Sequence, residues 1–262
     1  MVISNKKNIE IFELTREILN EHPNGYYSAL IWGKKGRGKS AYCIHVMKQL
    51  FLQLSLLPDE IRYEKLEYDI SIDEAYDMAL DHMVFDIVEL LDKCRQGKGG
   101  LKDPRKMIPV LTFDDAGVGA SSYLFWSDKE LAGALKGYND ILRRRITGFL
   151  VNTPHTKGLL SFIRDEEDLG VPLIKCTKEY KWERLATAKI KKEGRIHKVR
   201  VFQDEFSCYL PKKVYTKYVD MTDEAFDKQE ELIDNLIIER RKRFPDKSIP
   251  EEWQRHTFDK PI

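Results

Sequence analysis

Positions 33–40 read GKKGRGKS, so three glycines, three lysines and an arginine fill seven consecutive places and a serine follows. Crowding four like charges into a short turn calls for a compensating anion. Gly33, Gly38, Lys39 and Ser40 meet the spacing G-x-x-x-x-G-K-[ST] of a Walker A, or P-loop, motif. Glycines let backbone N–H groups curl around phosphate oxygens with no Cβ in the way, and the free amides of a following helix add a positive dipole end. On this reading Lys39 reaches the β- and γ-phosphates of ATP, Ser40 offers a small hydroxyl to Mg²⁺, and Gly36 keeps the loop supple. The nucleotide-binding candidates are Gly33, Lys34, Lys35, Gly36, Arg37, Gly38, Lys39, Ser40 and Ala41. The plain alternative is a basic surface turn.

A second group of chemistry-bearing residues lies 75 positions beyond Lys39, where MIPVLTFDDAG ends an apolar run in two carboxylates. That is the form of a Walker B strand. Asp114, at the tip of a buried strand beside the P-loop, is placed to hold the hydration shell of Mg²⁺, and Asp115 to polarise an attacking water. Further on, ITGFLVNTP is a buried strand with a polar end, and Asn152 falls where a γ-phosphate sensor belongs; a strand terminus with a polar turn has the same appearance. Arg164 is a candidate arginine finger toward a neighbour's nucleotide, with a surface salt bridge to the adjoining acids as the alternative.

These residues need elements to hold them. Residues 7–20 have the spacing of an amphipathic helix, and 26–32 reads as a buried strand that turns into a helix running to about Leu54. From Pro58 to Leu80 the chain is charged with helical spacing, and SIDEAYDMAL opens on a serine cap; this stretch is read as an insertion. HMVFD is a short strand leading into the helix IVELLDKCRQ, and SDKELAGALKGYNDILRRR is a further helix with Ser127 and Glu130 as its cap. After Gly170 the pattern alternates as in antiparallel strands, with KKEGR as a hairpin tip. Such a hairpin carries Lys189, Lys191, Lys192, Arg195, Lys198 and Arg200, a ribbon suited to DNA phosphates or simply to a solvated, lysine-blunted edge. Phe226, Ile233, Leu236 and Ile237 form one face of a last helix, read as a docking stripe.

The expected fold class is α/β: a P-loop NTPase core with a mostly parallel central sheet flanked by helices, a C-terminal antiparallel β-hairpin extension and a terminal helix. The expected division is 1–170 for the core, with an N-terminal helix and an insertion near 55–80, and 171–262 for the extension and helix. At 262 residues and 42% hydrophobic content the chain can build a sizeable core, and a net charge of +1 excludes a wholesale nucleic-acid coat. No run of about 18 uncharged apolar residues suggests a membrane span, and the start lacks a signal-peptide block, so the expectation is a cytoplasmic protein without a membrane partner. Four cysteines with no C-x-x-C pair point to reduced thiols rather than a zinc site.

The pieces GKKGRGKS, VLTFDDAG and GFLVNTP together resemble the additional-strand P-loop ATPases that include bacterial replication initiators and helicase loaders. FDDAGVGASSYLFW, followed by the NTP strand, is similar in particular to DnaA-like ATPases encoded by archaeal viruses and plasmids. The resemblance spans about residues 25–170. It implies an ATPase acting on DNA or on a replication protein, with Gly33, Gly38, Lys39 and Ser40 binding ATP and Mg²⁺, Asp114 the metal, Asp115 the water and Asn152 the γ-phosphate. Two departures stand out. The segment after the core reads as β-hairpins instead of a helical lid with a second sensor arginine, which leaves room for a RecA-like core, and Asp115 stands where many ATPases carry glutamate. A packaging or translocating motor, assembled as a homo-oligomer around DNA, is the nearest alternative. An ATP-switched binding module and a small-molecule kinase also remain open. Tyr123, Phe125 and Trp126 suit base stacking or core packing alike.

Overall fold

The computed structural model describes residues 11–100, 102–114, 142–155, 172–191 and 198–243. YSALIW forms β1 (Tyr27–Trp32), with its four middle residues buried. After the glycine loop, α2 (Lys39–Leu54) has twelve of its sixteen residues buried, as suits a helix covered on several sides. The charged stretch after Pro58 is a series of turns, and helical structure resumes at α3 (Ile72–Asp81). Ser71 accepts from the Glu74 amide while the Glu74 carboxylate takes the Ser71 N–H, a reciprocal capping box. Expected helical spacing from residue 58 therefore fails over its first half, where Tyr63, Leu66 and Ile70 are buried from a run of turns, and succeeds where a cap and a buried face of Ala75, Tyr76, Ala79 and Leu80 coincide.

Next come β2 (Met83–Val84), α4 (Ile87–Gln96) with Asp86 as its cap, and β3 (Ile108–Phe113), buried throughout. Then follow β4 (Ile146–Thr153), also wholly buried, β5 (Leu173–Lys178), β6 (Glu183–Lys191) and β7 (Lys198–Ser207). α5 runs from Lys212 to Arg243. The first helix, α1 (Glu13–Glu21), begins later than its spacing suggested; residues 1–10 lie outside the described residues.

All seven strands form one sheet in the order β2-β3-β4-β1-β5-β6-β7. The strands from β2 through β5 run parallel, and β6 and β7 continue antiparallel. Long runs of buried apolar residues belong to the parallel part, since helices cover such sheets on both faces. The fold class is therefore the expected one: α/β with a mostly parallel P-loop NTPase-type sheet and an antiparallel extension.

β4 lies between β3 and β1, paired with both. β5 pairs in parallel with β1, with Leu30 opposite Leu173, and the hairpin extends the same sheet. Alternation identified antiparallel strands but is blind to which partner lies on the other side of β5. By compactness the chain divides into two units, Met1–Tyr218 and Val219–Ile262. The second is helical as far as Arg243, with Phe226 and Ile238 exposed. Among the described residues no helix is long and apolar enough to cross a membrane.

Candidate functional site

In a parallel sheet, ligands gather outside the carboxyl ends of the strands where chain connections diverge. Register brings three such ends together here. Phe113 faces Val151 and Ile31 faces Asn152, so Asp114 just past β3, Asn152 near the end of β4 and the glycine loop after β1 share one edge.

The loop itself has little latitude. Gly33, Gly36 and Gly38 all have positive φ, at 151°, 77° and 78°. A Cβ on Gly33 would fall 2.8 Å from the Cys176 carbonyl oxygen of β5, and one on Gly38 would fall 2.9 Å from the Cys208 Cβ. Around Gly36 there is open space. Gly33 and Gly38 thus let the chain pass close to the strands behind it, whereas Gly36 leaves the mouth of the loop clear. The hairpin extension is part of this site's wall, because Arg184 and Phe206 also approach the Gly38 position.

At the start of α2 the left-handed Gly38 supplies no side-chain cap, and no acidic residue stands in the first turn. Such an end presents backbone N–H groups and a positive dipole end to an anion. Lys34 and Lys35 are exposed, while Arg37, Lys39 and Ser40 are half-buried and Ala41 is buried. Burial pushes the Cys176 thiol up to about 12 against the pull of the Lys39 ammonium, and burial likewise raises Cys43. Both thiols are protonated packing groups at neutral pH. All four cysteines are free.

Behind the loop lies a polar cluster. Ser40 Oγ donates to Asp114 Oδ1 at 3.1 Å, and Asn152 Nδ2 donates to Ser40 Oγ at 3.1 Å and also to Asp114 Oδ1. Tyr218 OH, from α5, donates to Asp114 Oδ2 at 2.8 Å. Asp114 and Asn152 are each only 2% exposed. Asn152 Oδ1 is buried without a hydrogen-bond partner among the described residues. A buried acceptor left empty is costly, so this corner suits a group that brings donors, such as the water shell of a cation. A hydroxyl, a carboxylate and an amide oxygen are the hard oxygen donors that Mg²⁺ takes. No group of three or more His, Cys, Asp or Glu side chains among the described residues forms a separate metal centre.

Of the residues singled out from sequence, the structure brings together Gly33, Gly36, Gly38, Lys39, Ser40, Asp114 and Asn152. Asp115, Arg164, Tyr123, Phe125 and Trp126 lie outside the described residues, as do Lys192 and Arg195. Lys189 is exposed on β6. The residue that sequence reasoning missed is Tyr218. Its signal was present: Pro211 followed by Val214 and Tyr218 is a helix start with an i,i+4 inward pair.

No family model matches the chain. Among curated proteins, uncharacterized protein B-251 of Sulfolobus spindle-shape virus 1 is 29% identical over 245 residues, 88% of this chain and 88% of that relative. Among solved structures, an ATPase domain is similar over 75% of this chain and 89% of that chain, with a TM-score of 0.36 and 11% identity.

Proposed function

We propose that this chain is a Mg²⁺-dependent ATPase acting on DNA or a replication partner, of the initiator or helicase-loader type. One observation carries the reading: the open glycine loop, the uncapped start of α2 and the Ser40–Asp114–Asn152 cluster meet at one edge of the sheet. Loop amides and the α2 end would bind the β- and γ-phosphates, and Lys39 would neutralise charge that develops as the terminal phosphoryl group departs. Ser40 and Asp114 fit Mg²⁺, which when bound supplies charge neutralisation to the triphosphate. Asp115, one residue past Asp114, is the candidate to take a proton from the attacking water as the new P–O bond forms and the bond to ADP breaks. Asn152 would exchange its bonds to Ser40 and Asp114 for one to the γ-phosphate. Arg164 is the candidate finger toward a neighbouring copy.

Support for a nucleic-acid partner comes from the hairpin. Lys189 faces Arg200 and Lys191 faces Lys198 across the β6–β7 ladder. The ladder thus gathers basic residues along one ribbon, a composition that attracts a phosphate backbone.

The test is ATP hydrolysis with and without single- and double-stranded DNA, for the native chain, Lys39→Ala and Asp115→Asn. Turnover stimulated by DNA and lost in both variants is expected. Phosphoryl transfer to a small acceptor would overturn the assignment in favour of a kinase. A closed ring with basic residues on its channel would favour the motor, and tight ATP binding without turnover the switch.

A further inference from the structure

Among the described residues, Tyr218 joins the Asp114 cluster from outside the strands and the glycine loop, and its placement is over-determined. The Pro211 carbonyl accepts the Tyr215 amide at 2.9 Å to start α5, and Val214 is buried one turn before Tyr218. On the same turns Lys217 Nζ lies 3.0 Å and Lys213 Nζ 3.5 Å from the two oxygens of Asp77 on α3. The Tyr218 ring leans on Phe85, with centroids 6.4 Å apart. Phe85 follows β2, and the Asp114 amide is itself bonded to the Val84 carbonyl of that strand at 2.8 Å. The phenol is thus fixed from both sides against the strand end that carries Asp114.

A carboxylate can turn about its Cβ–Cγ bond and exchange its two oxygens. Donors on both sides remove that freedom: the phenol takes Oδ2, so Oδ1 is left facing Ser40 and Asn152. Outer partners of metal ligands typically change metal affinity or activity by about 10–100-fold when removed.

We infer that Tyr218 is the positioning residue of the Mg²⁺ site, holding Asp114 turned toward Ser40 from the first turns of the C-terminal helix. This rests on the proposed nucleotide site and deepens it. Metal binding and the Tyr218–Asp114 bond are then linked: whatever strengthens that bond tightens Mg²⁺, and the reverse holds by thermodynamic reciprocity.

The measurement is ATP binding by titration calorimetry across a range of Mg²⁺ concentrations and again in EDTA, with a thermal melt of each chain. For Tyr218→Phe the Mg²⁺ concentration at half-effect should rise about tenfold, with binding in EDTA unchanged. Asp77→Asn, which removes the ion pairs that seat the helix but leaves the phenol, should keep the native Mg²⁺ dependence. A native Mg²⁺ dependence in Tyr218→Phe overturns the inference while leaving the ATPase reading intact. Equal shifts in both variants overturn it too, by assigning the effect to helix seating and not to the hydroxyl. Should the native chain itself show ATP binding indifferent to Mg²⁺, the metal site and this role fall together.

Discussion

Two buried carboxylates in this molecule are solvated by protein in different ways. Asp204 on β7, 4% exposed, accepts the Glu13 amide at 2.8 Å, the Leu14 amide at 3.4 Å and the Tyr42 hydroxyl at 2.5 Å. It is the cap that α1 lacks locally, since Phe12 stands at the cap position. Asp114 accepts hydroxyls from Ser40 and Tyr218 and the amide of Asn152, all side-chain donors. Backbone amides of a helix end cannot turn away from Asp204 without unravelling the helix, whereas the Ser40 hydroxyl and the Asn152 amide can rotate and release Asp114 Oδ1 to another partner while Tyr218 keeps Oδ2. Burial nevertheless holds the Asp204 carboxyl above its ordinary range, against the lowering effect of its three donors. The difference separates a carboxylate that builds the fold from one suited to exchanging ligands.

The largest effect that would sharpen this contrast is functional and leaves the fold alone. Lys39→Ala should lower ATP hydrolysis at least about 10³-fold, as losing a transition-state cation does, with an unchanged thermal melt. The reverse is expected for Asp204→Ala: a loss of about 3 kcal/mol in urea unfolding, from one helix cap and one buried phenol left unpaired, while ATP still binds the folded fraction. Asp204→Asn keeps an acceptor and should cost less. If Asp204→Ala abolished ATP binding in fully folded protein, the division of roles would fail.

Acid gives the next effect. His82, packed against Phe51 and Tyr63, and the half-buried His45 are both pushed down to about 4, chiefly by burial. Their lowered values mean that the unfolded chain takes up protons first, so this stabilisation is whole above about pH 6.5 and is lost as pH falls toward 4. For His82 the loss should be about 2–3 kcal/mol by pH 4.5, with less from the more exposed His45. Urea melts at pH 7 and 4.5, for the native chain and His82→Phe, check it: the variant should show the smaller drop.

Smaller again is Gly38→Ala. Its φ of 78° and the Cys208 Cβ at 2.9 Å predict a stability loss of about 1–2 kcal/mol, read by the same melts. Asp77→Asn is the weakest change, within about 0.5 kcal/mol, because its partners Lys213 and Lys217 are exposed.

How legible the molecule was from its sequence follows the distance over which each feature is specified. The glycine loop is local, so Gly33, Gly38, Lys39 and Ser40 could be read from spacing, and the polar ends of β3 and β4 from apolar runs that stop at Asp114 and Asn152. The short β2 and the capping box at Ser71 were legible for the same reason. What escaped depends on partners far along the chain. Asp204 caps a helix about 190 residues earlier, and Tyr218 meets a carboxylate 104 residues away. β5 joins β1 because the parallel sheet offers it a buried edge, which alternation along residues 173–178 does not record. The turns after Pro58 have helical spacing and bury Tyr63, Leu66 and Ile70, so periodicity alone could not tell them from a helix.

Titration of the folded chain with ATP in the presence of Mg²⁺, beside the same titration of Lys39→Ala, goes most directly to the claim that the loop at residues 33–40 holds a triphosphate. One site per chain, sharply weakened in the variant, is the result predicted. Absence of any uptake by the native chain, or equal uptake by both, would contradict it.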